Sequence, residues 1–165
     1  MTTKEYIREV DFDYIKTFSL LREEETKDYV DNLQTKAKTT LDKNEKRKLI
    51  DLTIRGTKEI LIETGTPHPT AVRTNTFNKS DPETVELLSI LSLDYKNHND
   101  SMCAPIFREM IVFYDKSDKV VSILNICLSC DRVEDEHFNT IKTDSKVFER
   151  LREYFKSIGH AIEEN

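Results

Sequence analysis

The sequence predicts an α+β fold: an antiparallel sheet of about four or five strands centred on a hairpin over residues 105–130, with N-terminal helices and a C-terminal helix packed on it. Three observations carry this expectation. Apolar residues recur at helical spacing near the N-terminus, two β-branched and aromatic runs flank a short polar turn, and a capped amphipathic stretch closes the chain. Helices at the ends with strands in the middle favour α+β over an alternating parallel fold.

Taking the elements in order, Tyr6, Ile7, Val10, Tyr14, Phe18 and Leu21 fall three and four apart, which predicts an amphipathic helix over 3–22. Residues 23–48 are polar, with a thin seam of Tyr29, Leu33, Ala37 and Leu41; they predict a helix over about 25–40 and then a charged loop, LDKNEKRK. The narrow seam leaves room for a second copy of the chain to complete burial of the N-terminal helices, so a homo-oligomer is one expectation. Ile50, Leu52 and Ile54 alternate with Asp51, Thr53 and Arg55, which predicts a half-buried strand, with a second or a continuation over 58–63. GTPHPT at 65–70 reads as a loop, because two prolines cannot continue a ladder. A short strand is expected over 70–77. Ser80-Asp81-Pro82-Glu83 starts a helix that runs to about Leu93 and buries Val85, Leu88, Ile90 and Leu91. Pro105–Tyr114 and Lys119–Cys130 form the hairpin around Asp115-Lys116-Ser117-Asp118. An acidic connection follows. Asp144 or Ser145 then caps a final helix over 145–159, with Val147, Phe148, Leu151, Phe155 and Ile158 on one face and Gly159 as its stop. The organisation expected is one domain over 1–165, helical to 48, mainly strands plus one helix over 49–130.

At 165 residues the chain can bury a full core without staples. A net charge of −6 disfavours nucleic acid and anionic membranes, whose phosphates need a cationic face, and suits a basic protein partner. No stretch approaches the roughly 20 apolar residues of a membrane span, and MTTKEYIREVDFDYIK is no signal peptide, so the expected location is the cytoplasm. In that compartment three cysteines are thiols by default, and an odd count argues against a disulfide framework.

The cysteines carry the sharpest chemical question. With Lys116-Ser117 as a two-residue turn, Cys103 lies opposite Cys130, Pro105 opposite Leu128, Phe107 opposite Ile126 and Arg108 opposite Asn125. Opposed side chains come within reach of a shared metal or a disulfide. Cys103, Cys127, Cys130 and His137 together have the ligand types of a structural zinc site, although a single C-x-x-C is less than the usual pair of clusters. A redox C-x-x-C needs a lowered thiol pKa, and the acids that follow Cys130 oppose that. On a continuous strand Cys127 and Cys130 also point to opposite faces unless the strand ends near Leu128. The plain alternative is favoured: buried, inert thiols behaving as small hydrophobes.

Other residues offer less. His68, His98 and His160 read as exposed. Asp11, Asp13 and Glu23 to Glu25 lack a partnering base, and Arg108 reads as half-buried and structurally paired. No Walker loop, dinucleotide fingerprint, G-x-S-x-G or H-E-x-x-H occurs.

Cys103, Pro105, Arg108, Cys127, Cys130, Phe155 and Gly159 fall in a pattern that resembles a group of uncharacterised small bacterial proteins. That pattern is a Cys-x-Pro-x-x-Arg strand, an Ile-Cys-x-x-Cys strand and a closing Phe-x-x-x-Gly helix. The resemblance implies that hairpin and last helix form one unit with recurring cysteines, which raises the metal or thiol reading. It brings no activity with it. The function expected is a non-enzymatic protein-binding domain of the immunity or inhibitor type, neutralising a partner through Asp131, Glu134, Asp135 and Glu136. The alternative is a metal- or thiol-dependent protein using the hairpin cysteines.

Overall fold

A computed structural model of the chain describes residues 1–20, 23–55, 71–97, 103 and 105–162. The expected strand over 58–63, the loop at 65–70, His68 and His98 lie outside them. The described chain divides into two compact units, Leu20–Val72 and Met1–Ser19 with Arg73–Asn165.

The Leu20–Val72 unit holds two helices that pack on each other, α2 (Glu23–Thr39) and α3 (Lys43–Arg55). Helix α3 corrects two expectations at once, the charged loop over 41–48 and the strand over 50–55. Lysine, arginine and glutamate are good helix formers. Asp42 caps the run by accepting hydrogen bonds from the Asn44 and Glu45 N–H groups, both at 2.8 Å. Ile50 and Ile54, read as alternating, are also one helical turn apart, and Leu49 beside Ile50 breaks a period of two. In α2, Leu33 and Ala37 are buried, whereas Leu41 sits in the connection, fully exposed.

The other unit is built on a six-stranded antiparallel sheet in the order β2-β1-β3-β4-β5-β6. Its strands are β1 (Tyr14–Leu20), β2 (Ala71–Asn78), β3 (Glu109–Tyr114), β4 (Val120–Cys127), β5 (Arg132–Glu134) and β6 (Thr140–Ile141). The α+β class holds, with slightly more strands than expected. The single N-terminal helix does not: α1 (Thr3–Glu9) stops at Val10, which is extended, and the chain enters β1. A capping box starts α1, with the Glu5 N–H donating to Thr2 Oγ1 and the Thr2 N–H to Glu5 Oε2. The helical spacing through residue 21 misled because β1 lies between two other strands. A strand buried on both faces loses the alternation that marks an edge or surface strand.

Helices α4 (Pro82–Leu91) and α5 (Ser145–Ser157) complete this unit. Ile15, Ile111, Phe113, Leu124, Ile126, Val133 and Ile141 from the strands form one core with Tyr6, Leu87, Leu91, Phe148, Leu151 and Phe155 from the helices. In α4 the buried residues are Thr84, Leu87, Ile90 and Leu91. Val85, expected in the core, is 54% exposed. Asp144 is the N-cap of α5, and Gly159 adopts φ +89° just past its end.

The β3–β4 register is displaced by two residues from the expected one, pairing Glu109 with Ile126 and Met110 with Asn125. A shift of two leaves every side chain on its face. Its cause is a longer turn: Asp115 accepts from the Ser117 and Lys119 N–H groups at 2.8 and 3.0 Å, Asp118 takes φ 63°, and a bulge falls between Phe113 and Tyr114. The acidic connection is itself structured, as β5, a turn and β6.

Candidate functional site

Strand β4 ends at Cys127, and the chain then turns through residues 128–131, with Asp131 at φ 48°. This is the condition under which Cys127 and Cys130 can face one way, and both pack on the buried Phe107. Cys130 is bonded to Cys103 across a Cα–Cα separation of 5.9 Å, within the ordinary range for a disulfide. Two of the three expected thiols are therefore a cross-link; neither lies on a strand, so the bond joins the segment before β3 to the turn after β4 and does not follow from the expected register.

Cys127 is a buried thiol. Its Sγ accepts the Ile106 N–H at 3.3 Å and lies 3.4 Å from Ser129 Oγ. Arg152 of α5 pins the turn, donating from Nη2 to the Leu128 carbonyl and to Asp131 Oδ1, the latter at 2.7 Å. His137 is not gathered with the sulfurs: its side chain is 77% exposed, with Nε2 3.9 Å from Glu136 Oε1. Among the described residues no group of three or more His, Cys, Asp or Glu side chains converges as a cation site.

The four carboxylates singled out as a partner surface all have internal contacts. Asp131 pairs with Arg152. Glu134 is buried and accepts Arg132 Nε at 2.7 Å. Asp135, also buried, holds the β5–β6 turn by accepting the His137 and Asn139 N–H groups at 2.9 and 2.8 Å. Glu136 Oε2 accepts Ser122 Oγ at 2.9 Å and the Ile123 N–H at 3.2 Å.

A different acidic feature lies between α4 and α5. A groove of about 410 Å³ is lined by Glu86, Ser89, Ile90, Glu149, Arg150 and Glu153. Glu86, Glu149 and Glu153 are exposed, and Ile90 is buried at its floor. Nearby, the Tyr154 hydroxyl is buried without a hydrogen-bond partner among the described residues. Burial, reinforced by the charges of Glu86 and Glu83, pushes its pKa well above the usual phenol value.

His160 overturns its expected exposure. Its imidazole is fully buried, with Nδ1 hydrogen-bonded to Glu109 Oε2 and Nε2 2.6 Å from Thr74 Oγ1. Thr74 Oγ1 in turn lies 2.7 Å from Thr17 Oγ1, linking β3, β2 and β1 to the chain beyond α5. A usable signal was present in the sequence. The Gly159 N–H bonds the Lys156 carbonyl and the His160 N–H the Phe155 carbonyl, the two bonds of a Schellman motif. In that motif the residue after the glycine folds back on the last turn, and the His160 ring sits 4.8 Å from that of Phe155. The arrangement is carboxylate, imidazole and hydroxyl in series. Because Glu109 and His160 are both sealed from solvent, it ties the C-terminal segment to the sheet.

No protein-family model, curated protein or solved structure matches the chain. Among the described residues, no helix is long and apolar enough to cross a membrane.

Proposed function

We propose that this chain is a non-enzymatic protein-binding domain of the immunity or inhibitor kind, which neutralises a basic partner through the α4–α5 groove. The observation that carries the reading is the groove itself: three exposed glutamates around a buried isoleucine floor, with one arginine among them. Among the described residues none of Glu86, Glu149 and Glu153 is held in an ion pair or hydrogen bond. An acidic concavity of this kind steers a cationic partner and sets orientation, while apolar contact supplies residence time. The net charge of −6 acts in the same direction. The acids at 131–136 have internal partners and are left out of the surface.

The test is affinity capture with the wild-type chain and with E86Q/E149Q/E153Q, followed by reconstitution from purified components. The reading requires a basic protein that binds the wild type stoichiometrically and is lost from the variant. Equal retention by both, or no reconstitutable partner, overturns it.

A second reading, a thiol-dependent protein, is favoured by the Cys103–Cys130 bond with the Cys127 thiol packed beside it. Its metal form is not carried forward, because zinc needs thiolates and the cross-link occupies two of the sulfurs.

A further inference from the structure

We propose that the Cys103–Cys130 bond is an exchangeable staple and that Cys127 is the internal thiol that resolves it. This rests on the thiol-dependent reading above and gives it a mechanism. The three sulfurs are unequal in a way that a purely structural cross-link does not require. Cys103 is exposed at the start of the segment leading into β3, whereas Cys130 and Cys127 are buried together on Phe107. A chain reversal over 128–131 follows Cys127 at the end of β4, and it brings Cys130 back into the same buried cluster on Phe107. The attacking sulfur already receives the Ile106 N–H. The turn that carries Cys130 is fixed to α5 by Arg152, through Leu128 O and Asp131, so it holds its place when Cys103 departs.

The exchange balances without any outside reagent. The Cys127 thiol gives up its proton, and its sulfur attacks Cys130 Sγ. The Cys127–Cys130 bond forms as the Cys130–Cys103 bond breaks, and the electron pair leaves on Cys103 Sγ. That sulfur takes up a proton, so the chain keeps one disulfide and one thiol. The leaving thiolate is the exposed one, which water stabilises, and attack by a thiolate on a disulfide sulfur is the ordinary route. The product releases Cys103 from the turn after β4 and presents it as a surface thiol, open to mixed-disulfide formation.

The experiment uses the full chain, purified without reductant, incubated in a glutathione redox buffer, quenched in acid, alkylated and mapped by peptide mass. The expected result is two linkages, 103–130 and 127–130, with the label on Cys103 in molecules carrying the second. In C127A only the 103–130 linkage should appear. In C103S, oxidised glutathione should close Cys127–Cys130 with release of two molecules of reduced glutathione. The proposal is overturned if wild type shows 103–130 alone, with Cys127 labelled only after denaturation, and C103S keeps Cys130 as a thiol or a glutathione adduct. Wild type with no 103–130 linkage under oxidising conditions would remove the thiol-dependent reading as well. Circular dichroism of both variants confirms that folded protein is compared.

Discussion

Two sets of carboxylates in the sheet unit carry the same charge and have opposite roles. Glu109, Glu134, Asp135 and Asp144 are buried, and each accepts hydrogen bonds from the protein's own N–H groups or side chains. Glu86, Glu149 and Glu153 stand exposed along the α4–α5 groove. The first group holds the fold, because a buried acceptor is stabilising only while its donors are present. The second group costs the fold little and leaves a field outside the protein. Acidic composition alone does not distinguish them, and the acidic stretch 131–136 contributes only Glu134 and Asp135 to the buried group.

The largest effect expected from this contrast is at Glu109. E109A leaves the buried His160 ring without its carboxylate, and a buried polar group left without its hydrogen-bond partner costs about 1–3 kcal/mol. Urea denaturation should show that loss, and a change under about 1 kcal/mol would remove Glu109 from the supporting group. Next comes Asp144, which accepts the Lys96, Asn97 and Lys146 N–H groups at 2.8, 2.9 and 3.0 Å. D144A should cost about 1–2 kcal/mol as a lost cap.

Asp144 also gives the contrast a pH signature. The Asn97 N–H, followed by those of Lys96 and Lys146, holds its carboxyl below the usual carboxylate range. A group whose folded pKa is depressed contributes stability above its unfolded value, about 3.9, and loses it as pH falls through the folded value. Wild type should therefore weaken steadily below about pH 4, and D144N should show a shallower decline there. Parallel curves for the two proteins would contradict this assignment.

Smaller effects complete the series. D131A removes a partly exposed pair with Arg152 and should cost under about 1 kcal/mol. E86Q/E149Q/E153Q should change stability by no more than about 0.5 kcal/mol per site. Y154F deletes a buried hydroxyl with no partner among the described residues, so its melting temperature should be unchanged or raised. A clear loss at Tyr154 would mean that the hydroxyl is satisfied by an acceptor the structure does not show.

Much of the architecture was legible because local chemistry and tertiary role agreed. Asp81-Pro82 starts α4, Asp144 caps α5, Gly159 stops it, and the runs around Asp115–Asp118 pair as a hairpin. Where one pattern fits two periods, reading failed. Residues 14–20 carry helical spacing yet form a strand buried on both faces, and Ile50, Leu52 and Ile54 alternate yet lie on a helix. Strands β5 and β6 are only three and two residues long, so they leave little periodicity to find. Of the candidate sites, the sequence pairs Cys103 with Cys130 on a register that is off by two, and the buried-thiol reading preferred for the cysteines holds only for Cys127. The burial of His160 depends on Glu109, far away in the chain, and the α4–α5 groove exists only when two separate helices pack.

The central claim, that the groove acids face a basic partner while the half-exposed Asp131 and Glu136, held by internal contacts, do not, is tested most directly by calorimetric titration. The partner retained by the wild-type chain would be titrated into wild type, E86Q/E149Q/E153Q and D131N/E136Q at two salt concentrations. The account predicts that the groove variant loses about tenfold or more in affinity, that D131N/E136Q stays near wild type, and that wild-type binding weakens with salt. Equal affinity for wild type and the groove variant, or a greater loss in D131N/E136Q, would contradict it.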